Sequence, residues 1–106
     1  MSYLKRKRSF TDKIRTNQIA LKKNIYYVMF DNIIVIGDFN EMKYYYLDEI
    51  SSAFFTNILE LKTIDIAASN LEKQIKVPRD ELIPELLKWC IDMCDRNILY
   101  VKKRGS

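Results

Sequence analysis

Cys90 and Cys94 are the only thiols in a chain of 106 residues that contains no histidine. The missing imidazole removes the commonest general base and the commonest metal ligand, and with them every Ser-His-Asp or Cys-His arrangement. Two cysteines with no second pair cannot complete a tetrahedral metal site within the chain. Four residues apart on one helix, they are also poorly placed for a disulfide, which needs Cα atoms within about 7 Å and converging Cβ vectors. They read as reduced, buried, small apolar side chains. The carboxylates Asp38, Glu41, Asp48 and Glu49 fall at turns and at a helix start, where capping explains them without a buried acid-base pair. With two glycines in all, phosphate loops are disfavoured as well. The expectation is a protein that is not an enzyme and carries no cofactor.

What remains is the chemistry of recognition. The run Tyr44-Tyr45-Tyr46 is the most conspicuous local feature. On a strand its side chains alternate between faces, so at least one points to solvent or a partner while another packs inward. Lys43 beside it either pairs with an acidic partner or keeps a strand edge from aggregating. The net charge of +4 hides an asymmetry: residues 1–23 hold eight Lys/Arg against one acidic residue, and residues 24–106 hold ten against thirteen. A basic arm on a mildly acidic body can meet nucleic acid, an acidic partner or a membrane surface, or stay solvated.

These residues must be held by a single modest core, since the length suits one domain and the composition, 48% hydrophobic and 30% charged, is that of an ordered globular chain. Residues 1–17 are polar and basic without sustained periodicity and read as a loosely ordered N-terminal arm, with the folded domain over 18–104. From Ile19 to Leu47 the chain is rich in Ile, Val, Tyr and Phe, and turn signals at Asp31-Asn32 and over 38–41 divide it. Three antiparallel strands are predicted, about 19–30, 33–38 and 42–47, the first long enough to bend or break near Lys23-Asn24.

After Leu47 the period changes to that of helices. Asp48 caps a first helix over about 49–60, carrying Ile50, Phe54, Ile58 and Leu61. Thr63 caps a second, with Ile64, Ala67, Ala68, Leu71 and Ile75, ending before Val77-Pro78; its Ala pair implies a close helix contact. The third carries Leu82, Leu86, Trp89, Cys90 and Met93 and is predicted to begin near Glu81, which puts Pro84 in its first turn, where a missing N–H costs least. It ends near Arg96, and Ile98 to Val101 form a short extended tail. Three strands and then three helices make an α+β domain with the layout of a winged helix-turn-helix. No apolar run reaches the roughly 18 residues of a membrane span, so a cytoplasmic protein with no membrane partner is expected.

Residues 37–48 resemble the hairpin of PqqD-like domains, the recognition elements of ribosomally made, modified peptides. That pattern is apolar-Asp-apolar, a short turn, an aromatic and Leu-Asn; Asp38, Phe39, Tyr44 and Leu47 match it, and Asp48 replaces the Asn. Phe54-Phe55 and Ile58 are similar to the family's apolar-Trp and Leu positions on the first helix. Glu85-Leu86, Trp89-Cys90, Met93 and Asn97-Ile98-Leu99 fall at the spacing of its last helix. Met42 departs from the family's turn Gly, which implies a turn built differently, with Asn40 as the left-handed residue. Asn97 replaces the Gly after the last helix and tolerates the left-handed conformation. The resemblance spans about residues 24–100.

It implies a non-catalytic protein that binds the leader of a precursor peptide as an added strand on its third strand, against its third helix. Backbone hydrogen bonds then give generic affinity, and side-chain pockets give selectivity. The contact residues it implies are Lys43, Tyr44, Tyr45, Tyr46 and Leu47 on the strand, with Leu82, Glu85, Leu86 and Trp89 on the helix. The implied partners are the precursor leader peptide and a tailoring enzyme, whether leader peptidase, cyclase or radical enzyme, with a stand-alone lasso-peptide leader-binding protein the nearest case. Strand addition also permits a homodimer through the sheet edge. The alternative is a winged-helix DNA-binding transcriptional regulator. It is opposed by the third helix, where Glu81, Glu85, Asp92 and Asp95 outnumber Lys88 and Arg96 and would repel phosphate.

Overall fold

The computed structural model describes residues 13–15, 17–61 and 63–102. Its first turn-forming pair explains most of the sheet. Asp31 and Asn32 both take positive φ, 49° and 67°, the two-residue turn that matches the twist of antiparallel strands. It joins β2 (Ile25–Phe30) to β3 (Ile33–Asp38), in register from Phe30 opposite Ile33 to Ile25 opposite Asp38. β3 then pairs with β4 (Lys43–Tyr46), giving a three-stranded antiparallel sheet in the order β2-β3-β4.

The long first strand does break. β1 (Gln18–Leu21) leaves the sheet at Lys22 and pairs instead with β5 (Leu99–Lys102), Gln18 lying opposite Lys102. A bond from the Lys22 N–H to the Ile98 carbonyl continues that ladder. The extended tail expected after the last helix is thus a strand with a partner about 80 residues away in sequence, a pairing for which no local signal exists. Within the segment read as an arm, Lys13 to Arg15 form a helical turn that buries Ile14 completely in the core, and Arg15 reaches Asp65 at 3.2 Å.

Three helices cover one face of the sheet: α1 (Glu49–Leu61), α2 (Ile64–Ile75) and α3 (Arg79–Asp95). Asp48 caps α1 as expected, its Oδ1 accepting the Ser51 N–H at 2.7 Å. Ser52, one residue on, is buried and accepts the Ile34 N–H at 2.9 Å, tying the first turn of α1 to β3. Ala67 and Ala68 are fully buried in α2, and the Asn57 amide on α1 donates to the Gln74 side chain, so the two helices are joined by packing and by polar contact. Thr63 has the extended backbone of an N-cap, but its hydroxyl makes no capping bond and is buried without a partner among the described residues.

α3 begins at Arg79 rather than near Glu81, since the Leu82 N–H already bonds the Pro78 carbonyl at 3.1 Å. Pro84 is therefore in the second turn and removes one intrahelical bond, to the carbonyl of Asp80. Leu82, Ile83 and Leu86 beside it are buried, and their packing holds the helix through the gap. The far end closes with Asn97 at φ 60°, its N–H bonded to the Cys94 carbonyl and the Ile98 N–H to that of Met93. That is the Schellman geometry, with Asn in the place Gly usually takes.

Candidate functional site

The β3-β4 turn sets the position of β4. Asp38 is almost fully buried, and its Oδ1 accepts the Asn24 amide at 2.9 Å and the N–H groups of Asn40 and Glu41 at 2.9 and 3.2 Å. The Asn24 amide, helped by those two N–H groups and by Lys43, holds the Asp38 carboxyl below the usual carboxylate range. Met42, not Asn40, takes the left-handed conformation, at φ 52°. The expectation about Asn40 fails because Asp38 already commits the Asn40 N–H within the turn; the reversal falls to the residue entering β4, whose side chain is exposed and meets nothing that forbids it.

β4 is an edge strand. The Leu47 N–H bonds the Ile34 carbonyl at 2.9 Å, so residues two and four back, Tyr45 and Lys43, also turn their backbone groups toward β3. Tyr44 and Tyr46 turn theirs outward. No described strand pairs with that side. The side chains alternate as well: Tyr45 is half-buried toward the helices, while Tyr44 and Tyr46 are exposed on the opposite face.

Beside this free edge runs a groove of about 500 Å³, whose far wall is α3. Trp89 stands in it, half-buried, with its ring edge-on to Phe54 and Phe55 at 6.0 and 6.3 Å between centroids. Its indole N–H is buried without an acceptor among the described residues. Arg96 lies over the Tyr45 ring, 5.6 Å from its centroid, and bonds Asp92 at 3.1 Å. The groove thus has an aromatic floor and a charged pair at one end.

Of the residues named from sequence, Tyr44, Tyr45, Tyr46, Leu47 and Trp89 line this groove together. Leu47 contributes mostly backbone, being 8% exposed. Lys43 opens β4 opposite Asp38, at the turn end. Glu85 is exposed one helical turn before Trp89. Leu82 and Leu86 are not brought to the groove: both are buried in the core beneath it. β4 is only four residues long and lies along the C-terminal half of α3, so the wall is made by Trp89, Asp92, Met93 and Arg96 instead. Stepping three, four and seven residues on from Trp89 would have found them.

Neither thiol belongs to the site. Burial pushes Cys90 far up and Cys94 up to about 11, so both stay protonated and unreactive. Among the described residues no cluster of His, Cys, Asp or Glu could hold a metal ion, and no helix is long and apolar enough to cross a membrane.

No protein-family model matches the sequence, and no curated protein matches it either. The fold, by contrast, is that of two solved structures. One is TbiB1 in complex with the TbiA(beta) leader peptide, with a TM-score of 0.71 at 13% identity, over 82% of this chain and 99% of that one. The other is a lasso peptide synthetase B1 complexed with the leader peptide, also at 0.71, with 14% identity over 78% of this chain and 98% of that one. The α+β layout read from the sequence, three antiparallel strands followed by three helices, is therefore the fold of this chain.

Proposed function

We propose that this chain binds the leader segment of a ribosomally made precursor peptide as an antiparallel strand added to β4, and presents it to a modifying enzyme of a lasso-peptide or related pathway. The observation that carries this reading is the unpaired edge of β4 alongside a groove walled by Trp89, on a fold shared with two leader-bound proteins. A leader strand would bond the outward N–H and C=O groups of Tyr44 and Tyr46. Its alternate side chains would then fall into the groove against Tyr45, Trp89 and Met93.

Magnitudes say where the affinity comes from. Two residues offering a donor and an acceptor each make four backbone hydrogen bonds, roughly 2–6 kcal/mol net. A micromolar complex needs about 8 kcal/mol after the cost of ordering the peptide. The remainder must come from apolar anchoring, for which Trp89 and Tyr45 are the groups in place. Glu85 and Lys43, at the margins, would bias the charge of the accepted leader rather than hold it. Leu82 and Leu86, buried in the core, would stabilise the fold without touching the leader.

The role is one of binding without catalysis, and it is supported by a chain that has no histidine and whose thiols are held protonated. The partner that consumes the bound leader would be a peptidase, cyclase or radical enzyme. The test is a fluorescence-anisotropy titration with labelled leader peptides encoded beside this gene, at low and moderate salt, with random duplex DNA as control. Saturable leader binding that survives moderate salt and is lost in Tyr46→Pro supports strand addition, because proline there removes an outward donor and leaves the β3 ladder intact. Salt-sensitive binding to DNA alone overturns it.

A further inference from the structure

The face of the sheet turned away from the helices is as apolar as the face turned toward them. An antiparallel sheet with one solvated face alternates apolar and polar residues; strands covered on both sides read as unbroken apolar runs. β2 is Ile-Tyr-Tyr-Val-Met-Phe, and β3 opens Ile-Ile-Val-Ile-Gly, with no polar alternation in either. Ile25 on β2, and Ile34 and Ile36 on β3, are the members buried beneath the helices. The opposite set remains open: Tyr26, Val28, Phe30, Tyr44 and Tyr46 are 37%, 55%, 73%, 61% and 78% exposed, and Phe39 at the turn is 64% exposed.

This face is also flat by design of one residue. Gly37 lies between Tyr26 and Tyr44 in register, and a Cβ there would run into the Tyr26 ring. The missing side chain lets the Tyr26 ring lie across β3, where Phe39 packs on it at 4.6 Å between centroids. A continuous aromatic surface results in place of a ridge.

We infer that this outer face is a dimer interface, at which a second copy of the same chain packs sheet against sheet about a two-fold axis. Two observations and a symmetry argument select that occupant. None of the strand residues on the face is charged, in a chain that is 30% charged, so the face can meet itself without burying a charge or opposing like charges. A two-fold contact needs only one self-complementary patch and closes on itself. The six exposed side chains offer on the order of 700 Å², close to the roughly 800 Å² per partner of a standard stable interface. The backbone edge of β4 lies in the plane of the sheet and stays open in such a dimer, so each copy keeps its groove. The inference stands on the sheet face and does not depend on what the groove binds.

Sedimentation velocity of the full chain from about 1 to 100 µM, at low and high salt, tests it. The expected result is a concentration-dependent shift from 12.7 kDa to twice that mass, undiminished by salt because no charge pair holds it. Phe30→Glu and Val28→Glu, on the strand farthest from the β4 edge, should each weaken the association by about a hundredfold or more while far-ultraviolet circular dichroism is unchanged. Met29→Pro, which removes an outward donor of β2 without touching the outer face, should leave the dimer intact. A monomer throughout the range overturns the inference, as does a dimer that survives Phe30→Glu or is lost in Met29→Pro. A monomer that still binds leader peptide sinks this inference and leaves the proposed function standing.

Discussion

The two halves of α3 use similar residues for different ends. In the first half Leu82, Ile83 and Leu86 are buried in the core and stabilise the fold. In the second half Trp89, Asp92 and Met93, joined by Arg96 at the C-cap, line the groove beside β4 while Cys90 continues the core. One helix thus changes from scaffold to surface within two turns. The cause lies in its neighbour: β4 is four residues long and faces α3 across the groove only along the helix's C-terminal half, so the core stripe opens there. Apolar spacing on a helix shows which residues turn inward; the length of the facing strand decides which of those remain reachable.

The strongest way to break this division is Leu86→Ala. Truncating a fully buried leucine should cost about 2–5 kcal/mol of unfolding free energy in a urea titration, while the folded fraction binds leader peptide as the parent does. Trp89→Ala should do the reverse in emphasis, raising the leader Kd by roughly 10- to 100-fold, and Trp89→Phe should recover stability by keeping the edge-on contacts with Phe54 and Phe55 and removing an unpaired donor. If isothermal calorimetry gave Leu86→Ala and Trp89→Ala the same loss of affinity, the two halves would not be distinct.

Smaller effects belong to the opposite wall. Met42→Gly should add about 0.5–1 kcal/mol of stability by relieving a left-handed backbone, read as a higher urea midpoint with unchanged leader binding. The mildest effect is that of pH. The Asp38 carboxyl is held below its ordinary value of 3.8, chiefly by the Asn24 amide. Its contribution is therefore present above about pH 4 and is lost as pH falls through the lower, folded value. Asp38→Asn should flatten that acid limb of the stability profile, followed by circular dichroism from pH 6 to 2.

Much of this is legible in the amino-acid sequence, for identifiable reasons. The Asp31-Asn32 turn, the break near Lys23, the Asp48 cap and the left-handed Asn97 are all local events, decided by a few neighbouring residues and their backbone preferences. The edge position of the tyrosines followed from the resemblance of residues 37–48 rather than from periodicity. Met42 departs from that pattern because a side chain's dislike of positive φ is a small cost, and the bonds that Asp38 makes across the turn outweigh it. Pro84 sits deeper in its helix than local rules favour for a similar reason, since buried leucines on either side keep the helix continuous through a lost hydrogen bond.

By itself the amino-acid sequence determined the order and kind of the elements, their main turns and caps, and the absence of histidine chemistry, because each depends on residue type and short-range spacing. Only the tertiary structure decided that β1 pairs with β5, that Ile14 enters the core, that Leu82 and Leu86 lie beneath the groove and Arg96 within it, and that the outer sheet face is left bare. These are contacts between segments far apart in sequence, and the free energy that selects them arises from burying surfaces against each other, which no single segment carries.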